Sequence, residues 1–411
     1  MKSFRYLLLL IVLYIYFYDP EFVFIGFGLI KIVLIIALGY AVLSFGRVRR
    51  YLRFYKKEAL ISLFLICYLF IRVAIAKDNG MKEVWIMLKW LIESTIIPIF
   101  IIETLISKIK DIDVYDCCIK VGFIASLITL VLMAFPALND VVRSMMLLHY
   151  DFLEDFFSFR SYGLASGLTG PYGIIQGILA SMCLLRYDKK HWYYLVFFLT
   201  LTVSAAVNAR TGLISILITL LYLVLGALKG FKVKNIIIIA TSLAVFVVFA
   251  NFLSRRYSEV FEWVSEAFFA TADFITGNSD SDTAYFNVLD AYLQWPSTST
   301  GVFFGEGRSL FGLDFGEGSD IGYVNQVFLG GILFAGGLLT IQYVFYKDLW
   351  KRSGKKFLPI LLFLTALIIN FKGVVFYNSN SFSRLVTLLF FCYVYESVRK
   401  MEPILWLEKE H

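Results

Sequence analysis

Apolar residues run along this chain in long blocks separated by short polar intervals. The blocks predict helices near 4–18, 22–45, 59–76, 84–106, 118–135, 161–185, 192–208, 211–228, 235–253, 321–346, 357–376 and 383–398. A helix needs about 20 apolar residues to cross the hydrocarbon core, where its backbone must satisfy its own hydrogen bonds. A membrane barrel would instead show alternating ten-residue segments. The pattern therefore predicts an all-α polytopic membrane protein with about twelve transmembrane helices. One long interval breaks it. Residues 254–320 are polar, opening with Ser254, Arg255, Arg256 and Tyr257 and closing with Gly305, Glu306, Gly307 and Arg308, then Gly318 to Tyr323. The expected organisation is nine helices in 1–253, a large loop in 254–320, and three helices with a tail in 321–411.

Composition agrees with the pattern. The chain is 59% hydrophobic and 18% aromatic, with a mean hydropathy of +0.76, well above the roughly 45–50% apolar usage of soluble domains. A net charge of +7 is not a nucleic-acid signal here, because the basic residues sit between apolar runs, as the topology rule for cytoplasmic loops requires. One alternate set of loops carries 24 basic residues and the other ten. That asymmetry places both termini in the cytoplasm and the long polar loop outside. The outer ten are seven Arg and three Lys, the inner 24 eight Arg and sixteen Lys; planar, bidentate recognition of phosphate favours Arg. Lys2 and Arg5 precede an apolar run without a small-residue cleavage pattern, the mark of a retained first helix. Cys67, Cys117, Cys118, Cys183 and Cys392 fall within helices or at their inner ends, so neither a disulfide framework nor a metal site is expected.

Several constellations are candidates for chemistry. From Arg160 to Gly177 the chain is dense in small residues. The pairs Gly163/Gly167 and Gly173/Gly177 read as close helix packing, while Gly170, Pro171 and Tyr172 read equally as a broken helix lining a cavity. Arg210 sits in a short outer turn, Asn208 to Gly212, where an arginine either snorkels or meets an anion. Residues 257–272 carry Val260, Phe261, Val264 and Phe268 near helical spacing, as in an amphipathic helix lying on the membrane. Among the loop carboxylates Glu306, Glu317 and Asp320 stand among glycines near the re-entry into the membrane, where a general base could reach a sugar hydroxyl. Lys89 and Glu93 share a helix face and read as a structural pair, with a proton relay as the sharper alternative. His149 is a lone loop histidine. No P-loop, GxSxG or HExxH spacing is present, which leaves nucleotide hydrolysis and metalloprotease chemistry without support.

The order of these features, Arg160-Ser-Tyr-Gly before a Gly-Pro, Asn-Ala-Arg210-Thr-Gly-Leu, then Gly305-Glu-Gly-Arg and Ser-Asp-Ile-Gly-Tyr at the end of a large late loop, resembles the Wzy-type O-antigen polymerases and the related O-antigen ligases. The resemblance covers roughly residues 160–346. It implies a GT-C-like membrane glycosyltransferase that joins undecaprenyl-diphosphate-linked repeat units into an O-antigen or capsule on the outer face of the bacterial inner membrane. It also implies no cofactor, no nucleotide sugar and no essential metal. The implied partners are the lipid-linked glycan, membrane lipids, a chain-length regulator and a flippase, with no nucleic acid. On this resemblance Arg160 and Arg210 are catalytic, together with Asp320 and Glu306, while Arg255, Arg256, Arg308, Tyr172 and Tyr323 bind substrate. The ligases carry an important histidine in the large loop, and no histidine lies between Arg255 and Asp320, which favours a polymerase over a ligase. A glycan transporter is the reading from a different class.

Overall fold

The computed structural model describes residues 2–147, 163–166, 170–188, 190–230, 240, 251, 255, 293–311, 318–354 and 356–407. They form an all-α protein with one two-residue β-hairpin. Contacts divide the chain into two compact units, Met1–Leu9, Ile32–Ile112 and Phe286–His411 in the first, Leu10–Lys31 and Asp113–Tyr285 in the second. Among the described residues four helices are long and apolar enough to cross a membrane, or up to five if a bent pair counts as one span. Four shorter apolar helices of 10–17 residues accompany them.

The first unit contains α2 (Ile30–Leu43), α3 (Phe45–Phe54), α4 (Lys56–Ala76), α5 (Met81–Thr104), α11 (Ser299–Phe304), α12 (Gly322–Arg352), α13 (Phe357–Ile369) and α14 (Ser381–Leu407). The expected helix 22–45 is not one straight span. Residues 21–28 form the hairpin, and α2 meets α3 at a bend of 101°. α3 is amphipathic, burying Val48 and Tyr51 while Arg47, Arg49 and Arg50 stay exposed, so the expected basic loop is an amphipathic helix. α11 is capped by Thr298, whose hydroxyl accepts from the Gly301 N–H at 3.0 Å.

α12 is broken at Gly330 and Gly331, within its apolar length. A break frees the carbonyls one turn upstream, and in an apolar surround each must find a donor. The segment after α11 supplies them: Glu306 N–H donates to Phe328 O at 2.7 Å, and Gly307 N–H reaches Phe328 O and Leu329 O at 3.1 and 3.2 Å. Tyr68 of α4 donates to Gly330 O at 2.9 Å. Gly331 (φ 72, ψ −174) and Gly305 (φ 79, ψ 172) both occupy backbone space that is essentially closed to other residues. A side chain at Gly331 would also run into the Phe303 carbonyl.

The second unit contains most of α1 (Lys2–Tyr18), the hairpin β1 (Glu21–Phe22) and β2 (Phe27–Gly28), α6 (Val114–Ala134), α7 (Pro136–Met145), α8 (Gly170–Arg186), α9 (Tyr193–Asn208) and α10 (Leu213–Gly230). Asp113 caps α6 by accepting from the Asp116 N–H, and Pro136 opens α7, where its missing donor costs nothing. Gly177 lies against the Gly212 backbone with no room for a Cβ, so the small residues of α8 act in close packing. Of the expected helix 161–185 the structure describes a helix from Gly170, with residues 163–166 non-helical, and 357–376 ends at Ile369. The expected helix 235–253, apart from residues 240 and 251, lies outside the described residues, as do the amphipathic stretch 257–272, His149, Gly167 and Glu317.

Because Gly331 needs a glycine-only backbone, Gly331→Ala is expected to cost about 1–3 kcal/mol. Gly336→Ala, with nothing within 4 Å of a new methyl, should be neutral or slightly stabilising. Thermal unfolding of the two variants in detergent checks this, and equal midpoints would contradict the backbone argument.

Candidate functional site

The most constructed polar region of the first unit is the turn Gly305 to Leu310. It is clamped from α4 and the turn that follows it. Arg72 directs Nε (2.9 Å) and Nη2 onto the Gly305 carbonyl. Lys77 ends α4 in a left-handed conformation (φ 58), which brings Asn79 against the loop. The Asn79 side chain then pairs with the Ser309 backbone in both directions, accepting from its N–H at 2.8 Å and donating to its carbonyl at 3.2 Å. The Ser309 hydroxyl donates to Glu83 of α5 at 3.1 Å. From α12, Asn325 Oδ1 accepts from the Leu310 N–H at 3.0 Å.

This frame holds two of the expected residues side by side. Arg308 Nε lies 2.9 Å from Glu306 Oε2, with side-chain exposures of 41% and 26%, and the Arg308 guanidinium stands 4.9 Å above the Phe328 ring. Both groups are therefore partly open to solvent, and cation–π contact fixes the arginine. Asp320 is exposed, beside the buried Ser319 whose N–H donates to Leu310 O at 3.1 Å. Tyr323, expected to bind substrate, gives its hydroxyl to Leu367 O at 2.9 Å and packs edge-on against Phe371 and Phe376.

A second polar line follows α5. Glu83 (4% exposed) and Glu93 (fully buried) stand about three turns apart on that helix. The non-helical segment between α13 and α14 runs beside them. Tyr377 is fully buried and lies next to Glu83. Ser379 donates to Glu93 Oε2, and Arg384 Nη2 stands 3.7 Å from the same oxygen. Lys89 Nζ is 3.6 Å from Oε1. The expected Lys89/Glu93 pair is thus present, but its more buried partner is Arg384, which the charge pattern assigned to an outer loop. Hydrogen bonds from Gln342 to Phe376 O (3.0 Å) and between Gln326 and Asn370 (3.2 Å) secure this segment on α12.

In the second unit Arg210 opens the short helical turn Arg210–Gly212, fixed where Gly212 packs on Gly173. Tyr172, expected to bind substrate, is buried in the interior of the second unit. Because α8 starts at Gly170, position 172 faces α6 and α9, where its hydroxyl meets Thr129 Oγ1 at 2.6 Å and Ser204 Oγ at 2.9 Å and donates to Ala125 O. Gln176 extends the network to Tyr18 at 3.0 Å and Ser126 at 3.2 Å. Such bonds join helices at about 0.6 kcal/mol each. Arg255 is exposed; Arg160 and Arg256 lie outside the described residues.

Sequence reasoning missed Arg72, Glu83 and the burial of Arg384. Arg72 had a signal, since it lies well inside an apolar run, as Lys31, Lys89 and Lys120 do. No protein-family model, no curated protein and no solved structure matches this chain.

Removing one member of a buried ion pair strands the other charge, at about 3–5 kcal/mol. Glu93→Gln is expected to lower the thermal midpoint sharply, and adding Arg384→Met to restore most of the loss. Strictly additive losses would mean that Glu93 and Arg384 do not act as a pair.

Proposed function

We propose that this protein is a membrane-embedded polymerase that joins undecaprenyl-diphosphate-linked oligosaccharide units into a surface polysaccharide, without nucleotide sugar. The observation that carries the reading is the half-exposed Glu306–Arg308 pair on a turn built from glycine-only backbone and clamped by Arg72 and Asn79. It supplies a carboxylate and a fixed guanidinium in one rigid place beside apolar helices. In such a transfer an acceptor hydroxyl attacks the anomeric carbon, its proton passes to a carboxylate such as Glu306 or Asp320, and the lipid diphosphate leaves with increased charge. Preorganised arginines stabilise that charge more in the transition state than in the ground state. The resemblance assigns this role to Arg160, Arg210 and Arg255 or Arg256, with Arg308 and Tyr323 as substrate contacts.

The chain would thread the inner membrane through its long and shorter apolar helices, with both termini cytoplasmic and residues 254–320 outside. The absence of a histidine between Arg255 and Asp320 favours chain extension over transfer of a finished glycan to a lipid acceptor.

One observation favours a second reading, a glycan transporter: the buried line of Glu83, Tyr377, Ser379, Glu93 and Arg384 along α5. Intramembrane ionisable residues mark ion paths as well as structural pairs. Transport predicts lipid-linked units trapped on the cytoplasmic leaflet of a deletion strain, whereas polymerisation predicts single units delivered outside.

Arg210→Ala should abolish chain extension while membrane insertion is retained, and unchanged polymer length on a size-separating gel would remove Arg210 from the mechanism. Arg160→Lys and Arg256→Lys should also impair extension, since an ammonium cannot reproduce a bidentate fork; full activity would leave only a charge requirement. A reporter fused after residue 290 should read as extracytoplasmic, and a cytoplasmic signal would overturn the topology and the reaction with it.

A further inference from the structure

Arg72 sits one turn from the end of an apolar helix, half-buried, and none of the described residues offers it a carboxylate. Two of its nitrogens share one backbone carbonyl, that of Gly305. A guanidinium presents five donors, and a single carbonyl oxygen cannot satisfy them. Among the described residues the positive charge meets the partial negative charge of that carbonyl and of the α4 C-terminus. An arginine in an apolar helix is costly unless an anion or the interface compensates it. Three residues beyond Gly305, Arg308 is fixed over Phe328 and, among the described residues, shares its charge with Glu306. The loop backbone passes close to α4, Gly307 packing against Ala76 and the Arg72 carbonyl. Arg72 on α4 and Arg308 on the loop are thereby both tied to the turn Gly305 to Arg308, which also carries the partly exposed carboxylate of Glu306, and the balance of these three groups is positive.

We propose that Arg72 and Arg308 form an anion site for a phosphate or diphosphate group, with Gly305 to Arg308 as its frame. Two planar forks suit the tetrahedral oxygens of phosphate. The anion takes the open donors of Arg72 and competes with Glu306 for Arg308, so binding releases the carboxylate. Assigning the group to a lipid diphosphate rests on the polymerase reading; the anion chemistry does not.

The test uses purified full-length protein in detergent micelles with inorganic pyrophosphate as the probe. Pyrophosphate should bind the parent and raise its thermal midpoint. Arg308→Gln should weaken binding by about tenfold or more, the loss of a charge-assisted contact. Arg72→Gln should do the same where it folds, and Arg143→Gln, on a helix of the second unit, should leave binding unchanged. Absence of pyrophosphate binding to the parent, or parent-like affinity in Arg308→Gln, would overturn the proposal and leave Arg72 as a latch for the loop. Displacement of pyrophosphate by undecaprenyl phosphate at lower concentration than by inorganic phosphate identifies a lipid source; equal potency identifies a soluble one. Loss of binding in Arg308→Gln stands even if the polysaccharide profile of a deletion strain is normal, so a failure of the polymerase reading is seen separately.

Discussion

The constraint on which the first unit depends is the hydrogen-bond demand of a helix broken within its apolar length. Where α12 opens at Gly330 and Gly331, the carbonyls of Phe328, Leu329 and Gly330 take donors from outside the helix. Lipid offers none, and each orphan would cost several kcal/mol. The turn after α11 and the Tyr68 hydroxyl answer that demand. Everything polar in the region follows, because a turn recruited to satisfy α12 must itself be satisfied. Arg72, Asn79 and Asn325 do this for Gly305, Ser309 and Leu310.

Charge is handled in two ways within that unit. Glu93 is fully buried and has Arg384, Lys89 and Ser379 around it, so the desolvation of each ion is offset by a partner. Arg72 and Arg308 are less buried and incompletely matched, one on a carbonyl and the other on a half-exposed carboxylate. Compensated charge deep in a bundle stabilises a single arrangement. Uncompensated positive charge near a helix end is poised for an anion, and the proposed chemistry lives on this difference.

The helical class of this protein was legible in its apolar blocks, since 20-residue runs have one solution in lipid. The close-packing role of Gly173 and Gly177 was equally legible, because small residues at helical spacing have few other uses. The span count and the break in α12 were not. Val327 to Phe334 reads as unbroken apolar sequence, and only the paired Gly330 and Gly331 hint at a break. Residues 22–45 carry the hydropathy of one span, yet Asp19 accepts from the Ile30 N–H at 3.0 Å and closes the chain into a hairpin first. Periodicity could not reveal that Tyr172 faces inward, since that depends on where α8 begins. The burial of Arg384 was not legible because a charge count cannot distinguish an arginine in a loop from one in the first turn of α14 that pairs with Glu93.

The central claim is that a rigid turn carrying Glu306 and Arg308 serves sugar transfer from a lipid diphosphate. Its most direct measurement supplies the purified protein in lipid nanodiscs with undecaprenyl-diphosphate-linked oligosaccharide, no nucleotide sugar and no added metal. The products are resolved by size, and released undecaprenyl diphosphate is quantified. The account predicts a ladder of glycans differing by one repeat unit, with one lipid diphosphate freed for each bond formed and both lost in Glu306→Gln. Unextended substrate from folded protein, or a ladder unaffected by Glu306→Gln, would contradict it.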